Sequence, residues 1–250
     1  MSGPLDPPSS PDRGEVLGLL ARIAASSLGE RLILAGSSGM FSASETLPAF
    51  TEDVDVVVDA DWVAGHEDEL LTVFQTLGFS HLPGSPTFIG PAGMSLDLVG
   101  FSAVDRIDRI GGGARMPVMV FADLSTLLAS PGAVVSVPGG GLALSPAALA
   151  AAKLLTIRIE KGSKDKLQGL LLIEEHATTP GFLADFAGLL RRFEPDRVED
   201  AVADAQASSM SLTNDMERLS HQEAGYADFR RAIERGLAIL LAQNPAERSE

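Results

Sequence analysis

Residues 53–58 read Asp-Val-Asp-Val-Val-Val, and this segment constrains the fold more than any other part of the chain. β-Branched residues favour strands, and alternate side chains of a strand point to the same face of a sheet. The side chains of Asp53 and Asp55 therefore leave the predicted strand on the same side, only a few ångströms apart. Two carboxylates held this close repel each other unless a cation lies between them.

A third carboxylate, Asp97, lies in the apolar segment Ser95-Leu96-Asp97-Leu98-Val99. Leu96 and Leu98 alternate with Asp97, so the acid faces away from the two leucines. Asp is depleted from strands, which makes its position here informative. If this strand lies beside residues 53–58, the three carboxylates converge. Mg²⁺ binds oxygen ligands, often one or two carboxylates together with substrate phosphates, so the set predicts a magnesium site.

A tight turn, Gly36-Ser37-Ser38-Gly39, precedes the acidic strand. It follows the apolar run 32–35, which predicts a buried strand, and a short helix is expected after it. Backbone N–H groups in such a turn bind phosphates, and serine hydroxyls add hydrogen bonds. Gly36, Ser37 and Ser38 are therefore candidate phosphate-binding residues.

The periodicity of the chain predicts an α+β protein in two domains. A Pro- and Ser-rich tail (1–12) is followed by an α/β domain (13–140) and a helical domain (141–250). The turn at 91–93 joins two predicted strands as a hairpin, so the sheet is expected to be mixed. Gly111-Gly112-Gly113 is interpreted as a flexible loop. The predicted strands are 32–35, 53–58, 87–89, 94–99, 118–121 and 134–137, and the main predicted helices are 14–28, 59–77, 123–129, 145–160, 164–176, 181–192, 197–207 and 212–242.

Composition restricts the kinds of partner. The formal net charge is −15, which disfavours a large nucleic-acid partner unless a local basic groove exists. The chain contains no cysteine, so disulfides, zinc thiolate sites and cysteine nucleophiles are excluded. Without an apolar leader segment or a membrane-length apolar run, we expect a cytoplasmic protein with no membrane partner.

The order of these features resembles a known superfamily. Gly36-Ser37, then Asp53-Val54-Asp55, then Leu96-Asp97-Leu98 is similar to the DNA polymerase β-type nucleotidyltransferases. The closer similarity is to the nucleotidyltransferases of type IV abortive-infection toxin systems. In that family a helical stretch carries a Lys, an Arg and a basic-Asp pair, and the matching residues of this chain are Lys153, Arg158, Lys164 and Asp165.

The resemblance implies a nucleotidyltransferase-like mixed sheet with flanking helices, followed by the helical domain. It implies two Mg²⁺ ions and an NTP substrate, with Asp53, Asp55 and Asp97 as metal ligands and catalytic carboxylates. Gly36, Ser37, Ser38 and the four helical residues would bind nucleotide. The acceptor is left open among a small molecule, a protein and a tRNA end, and the acidity favours the first two. A cognate antitoxin is a further partner that the resemblance implies.

A second interpretation remains open, namely a nucleotidyltransferase-fold module that binds a nucleotide or a partner protein without catalysis. Two departures from the family pattern motivate it. Gln168 stands where the helical motif has its last Asp, and Pro48-Ala49-Phe50 stands where a basic residue often precedes the acidic pair. A third interpretation is a cation-binding protein with no nucleotide role.

Overall fold

The structure is a computed structural model that describes residues 11–47, 51, 53–155, 162–211 and 226–243. The chain divides into two compact units. The first comprises the described residues of Met1–Ser125 together with Val134–Leu144. The second comprises those of Thr126–Ala133 and Ser145–Glu250.

A mixed sheet forms the first unit, as the hairpin predicted. Its central strands are parallel neighbours, and antiparallel strands flank them on both sides. The described strands, in chain order, are β1 (Ile33–Leu34), β2 (Asp53–Asp59), β3 (Ser80–His81), β4 (Thr87–Ile89), β5 (Ser95–Phe101), β6 (Arg109–Gly112), β7 (Pro117–Val120), β8 (Val134–Ser136) and β9 (Leu142–Leu144).

The strand order is β3-β4-β5-β2-β1-β9-β8, with β7 pairing with β5 and β6 pairing with β7. β4 and β7 share one edge of β5: β4 pairs with Ser95, Leu96 and Asp97, and β7 pairs at Gly100. The opposite edge of β5 runs parallel to β2 over its full length. The acidic strand therefore lies at the centre of the sheet rather than at a solvated edge.

Two helices cover one face of this sheet, α1 (Arg13–Ala24) and α3 (Ala60–Thr76), while the short α2 (Met40–Ala43) follows the Gly-Ser turn. α1 begins with a capping box between Asp12 and Glu15, and the Asp59 side chain caps α3. The buried core between helices and sheet includes alternate residues of the central strands, namely Val54, Val56, Val58, Leu96, Leu98, Val118 and Val120. Because strand side chains alternate, Asp53, Asp55 and Asp97 lie on the other face.

The second unit is helical. In chain order its helices after α4 (Ala122–Leu128), which spans the division between the units, are α5 (Pro146–Leu155), α6 (Gly162–His176), α7 (Phe182–Leu190), α8 (Pro195–Met210) and α9 (Tyr226–Gln243). Leu154, Leu170 and Phe186 are fully buried in it. α6 and α9 approach closely, since a Cβ at Gly236 would lie 2.1 Å from the carbonyl oxygen of Leu170. Within the described ranges, every helix is too short or too polar to span a lipid bilayer.

The interpretation of Gly111-Gly112-Gly113 as a flexible loop is wrong, because Gly111 and Gly112 belong to β6 and pair with Val118 and Pro117. The absence of side chains at Gly111 and Gly113 allows close packing against α3. A Cβ at Gly111 would lie 2.9 Å from the Cβ of Ala60 on α3, and one at Gly113 would lie 2.0 Å from the Glu67 carboxylate carbon. The strand β9, which pairs in parallel with β1, was not predicted from the sequence.

Two carboxylates of α3 accept hydrogen bonds from the β6–β7 hairpin and from the residue that follows β5. Asp61 accepts hydrogen bonds from Ser102 Oγ at 2.6 Å and from Arg109 Nη2 at 2.5 Å. Glu67 accepts from the backbone N–H groups of Arg115 and Met116 at 2.9 and 2.8 Å. The hydrogen bond from Ser102, followed by that from Arg109, lowers the pKa of Asp61.

Phe74→Ala should lower the free energy of unfolding by about 3–5 kcal/mol. Phe74 is fully buried, and its ring lies 4.4 Å from that of Phe88 and 6.0 Å from that of Phe79, measured between centroids. Urea denaturation followed by circular dichroism measures the change. Leu82→Ala is the control: Leu82 is 51% exposed, and its truncation should cost less than about 1 kcal/mol. Equal losses in the two variants would contradict this account of the core.

Asp61→Asn should destabilise the protein near neutral pH, and its penalty should shrink in acid. Because the folded-state pKa of Asp61 is lowered, its contribution to stability is present above the unfolded-state pKa of about 4 and is lost as the pH falls through the folded value. Urea midpoints of the wild type and the variant across this acid range measure the convergence. A penalty that stays constant with pH would show that the ionised carboxylate does not contribute.

Candidate metal centre

The register of two parallel strands brings the three predicted metal ligands together. β2 and β5 pair residue for residue, with Asp55 opposite Asp97 and Asp53 opposite Ser95. Asp53 and Asp55 are two residues apart on β2, so both lie on the same face as Asp97. The alternation of each strand thus fixes the face, and the register fixes the distance.

The three carboxylates form a cluster that suits a divalent cation. One oxygen from each lies within 4.8 Å of the others. Asp55 is 8% exposed, and Asp53 and Asp97 are half-buried, so the cluster is partly shielded from water without being sealed from it. Carboxylate oxygens are the ligands that Mg²⁺ and Ca²⁺ prefer, and a cation offsets the repulsion between three acids. The donor set and its spacing fit a divalent metal ion.

Gly36 lies directly against the central carboxylate. A Cβ built on Gly36 would lie 1.7 Å from Asp55 Oδ2, a distance at which no side chain fits. Gly36 also has a φ of +59°, in the left-handed region where glycine is favoured. The predicted Gly-Ser turn and the acidic strand are therefore in contact, and the glycine makes room for the carboxylate.

Ser38 ties the same turn to β2 through its hydroxyl. The Asp55 N–H donates to Ser38 Oγ at 3.1 Å, Ser38 Oγ donates to the Ala35 carbonyl at 2.9 Å, and the Ala35 N–H donates to the Asp55 carbonyl at 3.0 Å. Ser38 is fully buried and Ser37 is 7% exposed. The structure thus gives Ser38 a positioning role beside Asp55, and the predicted phosphate contacts of Gly36, Ser37 and Ser38 stay predictions.

The two outer carboxylates each accept a hydrogen bond from a threonine. Thr87 lies opposite Asp97 on the β4–β5 ladder, and its Oγ1 donates to Asp97 Oδ1 at 2.6 Å. Thr51 Oγ1 lies 3.1 Å from Asp53 Oδ1 and also donates to the main-chain carbonyl of Asp53. Neither threonine was predicted from the sequence to belong to the site. A threonine two residues before an acidic strand pair is visible in the sequence, whereas the link between residues 87 and 97 depends on strand register.

In the second unit, the structure brings two of the predicted nucleotide-binding residues together. Lys153 Nζ forms a salt bridge of 2.5 Å with Asp165 Oδ1, and the two side chains are 5% and 9% exposed. This pair joins α5 to α6. Two neighbouring cations hold the end of α5: Lys166 Nζ donates to the Leu154 carbonyl, and Arg197 Nη2 donates to the Leu155 carbonyl.

The remaining predicted residues of the helical motif are less defined. Lys164 is half-buried in the first turns of α6. Arg158 lies outside the described residues. Gln168, which stands in place of the motif's last Asp, is fully buried in α6.

Comparisons with known proteins leave the family open. No protein-family profile matches the chain. No curated protein matches it either. Among solved structures it is similar to that of JHP933 from Helicobacter pylori, at 12% sequence identity and a TM-score of 0.46 over 96% of this chain and 95% of that chain. At this identity and TM-score, the likeness says nothing about the residues of the metal centre.

Gly36→Ala should disrupt the carboxylate cluster. The added Cβ would overlap Asp55 Oδ2, and alanine at a φ of +59° is strained in addition. Gly84→Ala is a matched control, because Gly84 has a φ of +76° and nothing lies within 4 Å of its would-be Cβ. The backbone strain alone costs about 1–2 kcal/mol.

The two variants separate the clash from the strain. Gly36→Ala should lose more stability than Gly84→Ala in urea denaturation, and it alone should lose binding of Mn²⁺ in titrations followed by electron paramagnetic resonance. Equal stability losses together with intact Mn²⁺ binding in both variants would show that the Gly36–Asp55 contact is unimportant.

Proposed function

We propose that the protein is a Mg²⁺-dependent nucleotidyltransferase that moves a nucleoside monophosphate from an NTP to an acceptor and releases pyrophosphate. The observation that carries this proposal is the convergence of Asp53, Asp55 and Asp97 on one sheet face, with the Gly36 turn in contact with Asp55. An acidic cluster binds a divalent cation. A glycine turn beside it supplies space and backbone N–H groups for phosphates that would accompany such a cation.

The three carboxylates would divide two roles between them in this reaction. Asp53 and Asp55, neighbours on one strand, would hold both metal ions, and Asp97 would complete the second metal site. The chemistry that two bound Mg²⁺ ions would supply is neutralisation of the negative charge that develops in a phosphoryl displacement. The acceptor oxygen forms a bond to the α-phosphorus while the bond from that phosphorus to pyrophosphate breaks. Asp97 accepts the proton of the acceptor hydroxyl and passes it to solvent.

The turn would hold the leaving group. Gly36 lies against Asp55, so the backbone of the turn that contains Gly36 and Ser37 would bind the β- and γ-phosphates beside the metal site. The net charge of −15 favours a small molecule or a protein as acceptor over a tRNA end. The resemblance to abortive-infection nucleotidyltransferases adds a cognate antitoxin as a partner within this proposal.

A second candidate function is a non-catalytic module that binds a nucleotide or a partner protein. The buried salt bridge between Lys153 and Asp165 favours it, because that pair contributes to helix packing without any nucleotide. Breaking a buried pair costs about 3–5 kcal/mol, which is a sufficient structural reason for both residues.

A thermal-shift series with the full chain tests the proposal: protein alone, with Mg²⁺, and with each NTP plus Mg²⁺, beside Asp53→Ala/Asp55→Ala. A ligand at a hundredfold its Kd adds about 2.7 kcal/mol of stability. We expect one NTP to raise the Tm in a Mg²⁺-dependent manner, and the variant to lose that rise.

Release of pyrophosphate from the stabilising NTP then separates the two candidates. Turnover abolished by Asp97→Asn supports the transferase. A thermal shift without turnover against small-molecule and protein acceptors favours the non-catalytic module, and a shift with Mg²⁺ that no NTP alters favours a cation-binding protein.

A further inference from the structure

Thr87 places its hydroxyl on the third carboxylate of the metal centre. It is the register partner of Asp97 on the antiparallel β4–β5 ladder, so both side chains lie on the same face of the sheet. The distance from Thr87 Oγ1 to Asp97 Oδ1 is 2.6 Å, in the range of strong hydrogen bonds to an ionised acceptor.

The strand itself does not require this hydroxyl. β4 pairs with β5 through backbone groups, and valine has the same shape and a similar preference for strands. Since a hydroxyl has a single proton and a carboxylate only accepts, the proton of Thr87 is committed to Asp97. The interaction therefore acts on the carboxylate, and its effect is to fix the rotation of the Asp97 side chain.

A fixed carboxylate with a hydrogen-bonded Oδ1 suits one kind of cation better than another. Ca²⁺ takes six to eight oxygen ligands at flexible angles and often binds both oxygens of one carboxylate, whereas Mg²⁺ demands near-octahedral geometry. The bond to Thr87 uses a lone pair of Oδ1 and opposes rotation of both oxygens toward one ion. Asp97 is thereby held in the mode that presents one oxygen.

We propose that Thr87 is a positioning residue that holds Asp97 in one-oxygen coordination and so makes the centre prefer Mg²⁺ over Ca²⁺. This inference deepens the proposed function and rests on it only in requiring that Asp53, Asp55 and Asp97 bind a divalent cation.

Thr51 provides an internal comparison. Its hydroxyl approaches Asp53 Oδ1 at 3.1 Å but also donates to the main-chain carbonyl of Asp53. One proton is divided between two acceptors, so the Thr51 hydroxyl restrains the carboxylate of Asp53 less than the Thr87 hydroxyl restrains that of Asp97. The loss of the hydroxyl at residue 51 should therefore affect cation preference less than its loss at residue 87.

Competition titrations on the full chain test the proposal, with Mn²⁺ binding followed by electron paramagnetic resonance while Mg²⁺ or Ca²⁺ displaces it. In Thr87→Val the Mg²⁺ affinity should fall about tenfold, within the range known for partners that orient metal ligands. The Ca²⁺ affinity should hold or rise, so the ratio of the two affinities changes. Thr87→Ser, which restores the hydroxyl, should return the ratio to that of the wild type.

Thr76→Val is the matched control, because Thr76 Oγ1 bonds the Thr72 carbonyl within α3 and does not contact a carboxylate of the centre. It should leave both affinities unchanged. Unchanged affinities in Thr87→Val, or equal losses of Mg²⁺ and Ca²⁺ affinity, would overturn the proposal, since a purely structural threonine affects the two ions alike. If circular dichroism shows that Thr87→Val is unfolded, Thr87→Ala against Thr87→Ser makes the same comparison.

The measurement separates this inference from the proposed function because it needs no NTP. Loss of Mn²⁺ binding in Asp55→Asn assigns the titration to the centre. If Thr87→Val alters the ratio of the two cation affinities but the wild type transfers no nucleotide, the transferase alone is refuted. Absence of Mn²⁺ binding in the wild type would refute the metal centre and this inference together.

Discussion

The parallel pairing of β2 with β5 is the constraint on which the rest of the first unit depends. In this register Val54, Val56, Leu96 and Leu98 point into one core, and Asp55 meets Asp97 on the other face. A slip of one residue would bury the carboxylates of one strand among apolar side chains, at a cost of several kcal/mol for each charge. The apolar face thus enforces the alignment that the acidic face requires.

Around this pair, the site is assembled from segments that are distant in the chain. The Gly36 turn contacts the Asp55 carboxylate, and hydroxyls of Thr87 and Thr51 donate to the carboxylates of Asp97 and Asp53. Each carboxylate is positioned in a different way. Asp55 occupies the space that a side chain at residue 36 would fill, Asp97 accepts from a threonine on the neighbouring strand, and Asp53 accepts from a threonine two residues before it. Such support is what keeps functional groups in a productive geometry.

Local pattern in the sequence was sufficient to predict β2, β5, the hairpin before β5 and the acidic cluster. The reason is that alternation is a local property. In Asp53-Val54-Asp55 and in Leu96-Asp97-Leu98, the order of polar and apolar residues is enough to show which side chains face the core. The strands β3, β6 and β9 were not predicted. Gly111-Gly112 in β6 has no side chains that could show a period, and β3 and β9 are too short to show one. The Thr87–Asp97 bond was not predicted because register is set by tertiary packing. In the helical motif, the residues were recognised from the sequence but their contact was not. Lys153 and Asp165 were predicted to bind nucleotide, and the structure shows that they form a salt bridge with each other.

The contact between Gly36 and Asp55 has a consequence for how this chain tolerates change. Because the would-be Cβ of residue 36 and Oδ2 of residue 55 compete for the same space, the effects of substitutions at the two positions cannot be additive. A side chain at residue 36 is tolerable only after the acid at residue 55 has become smaller, and a longer acid at residue 55 is excluded while the turn keeps its shape. Substitutions at the two positions are therefore coupled. A larger residue at position 36 must be preceded by the loss of the carboxylate at position 55.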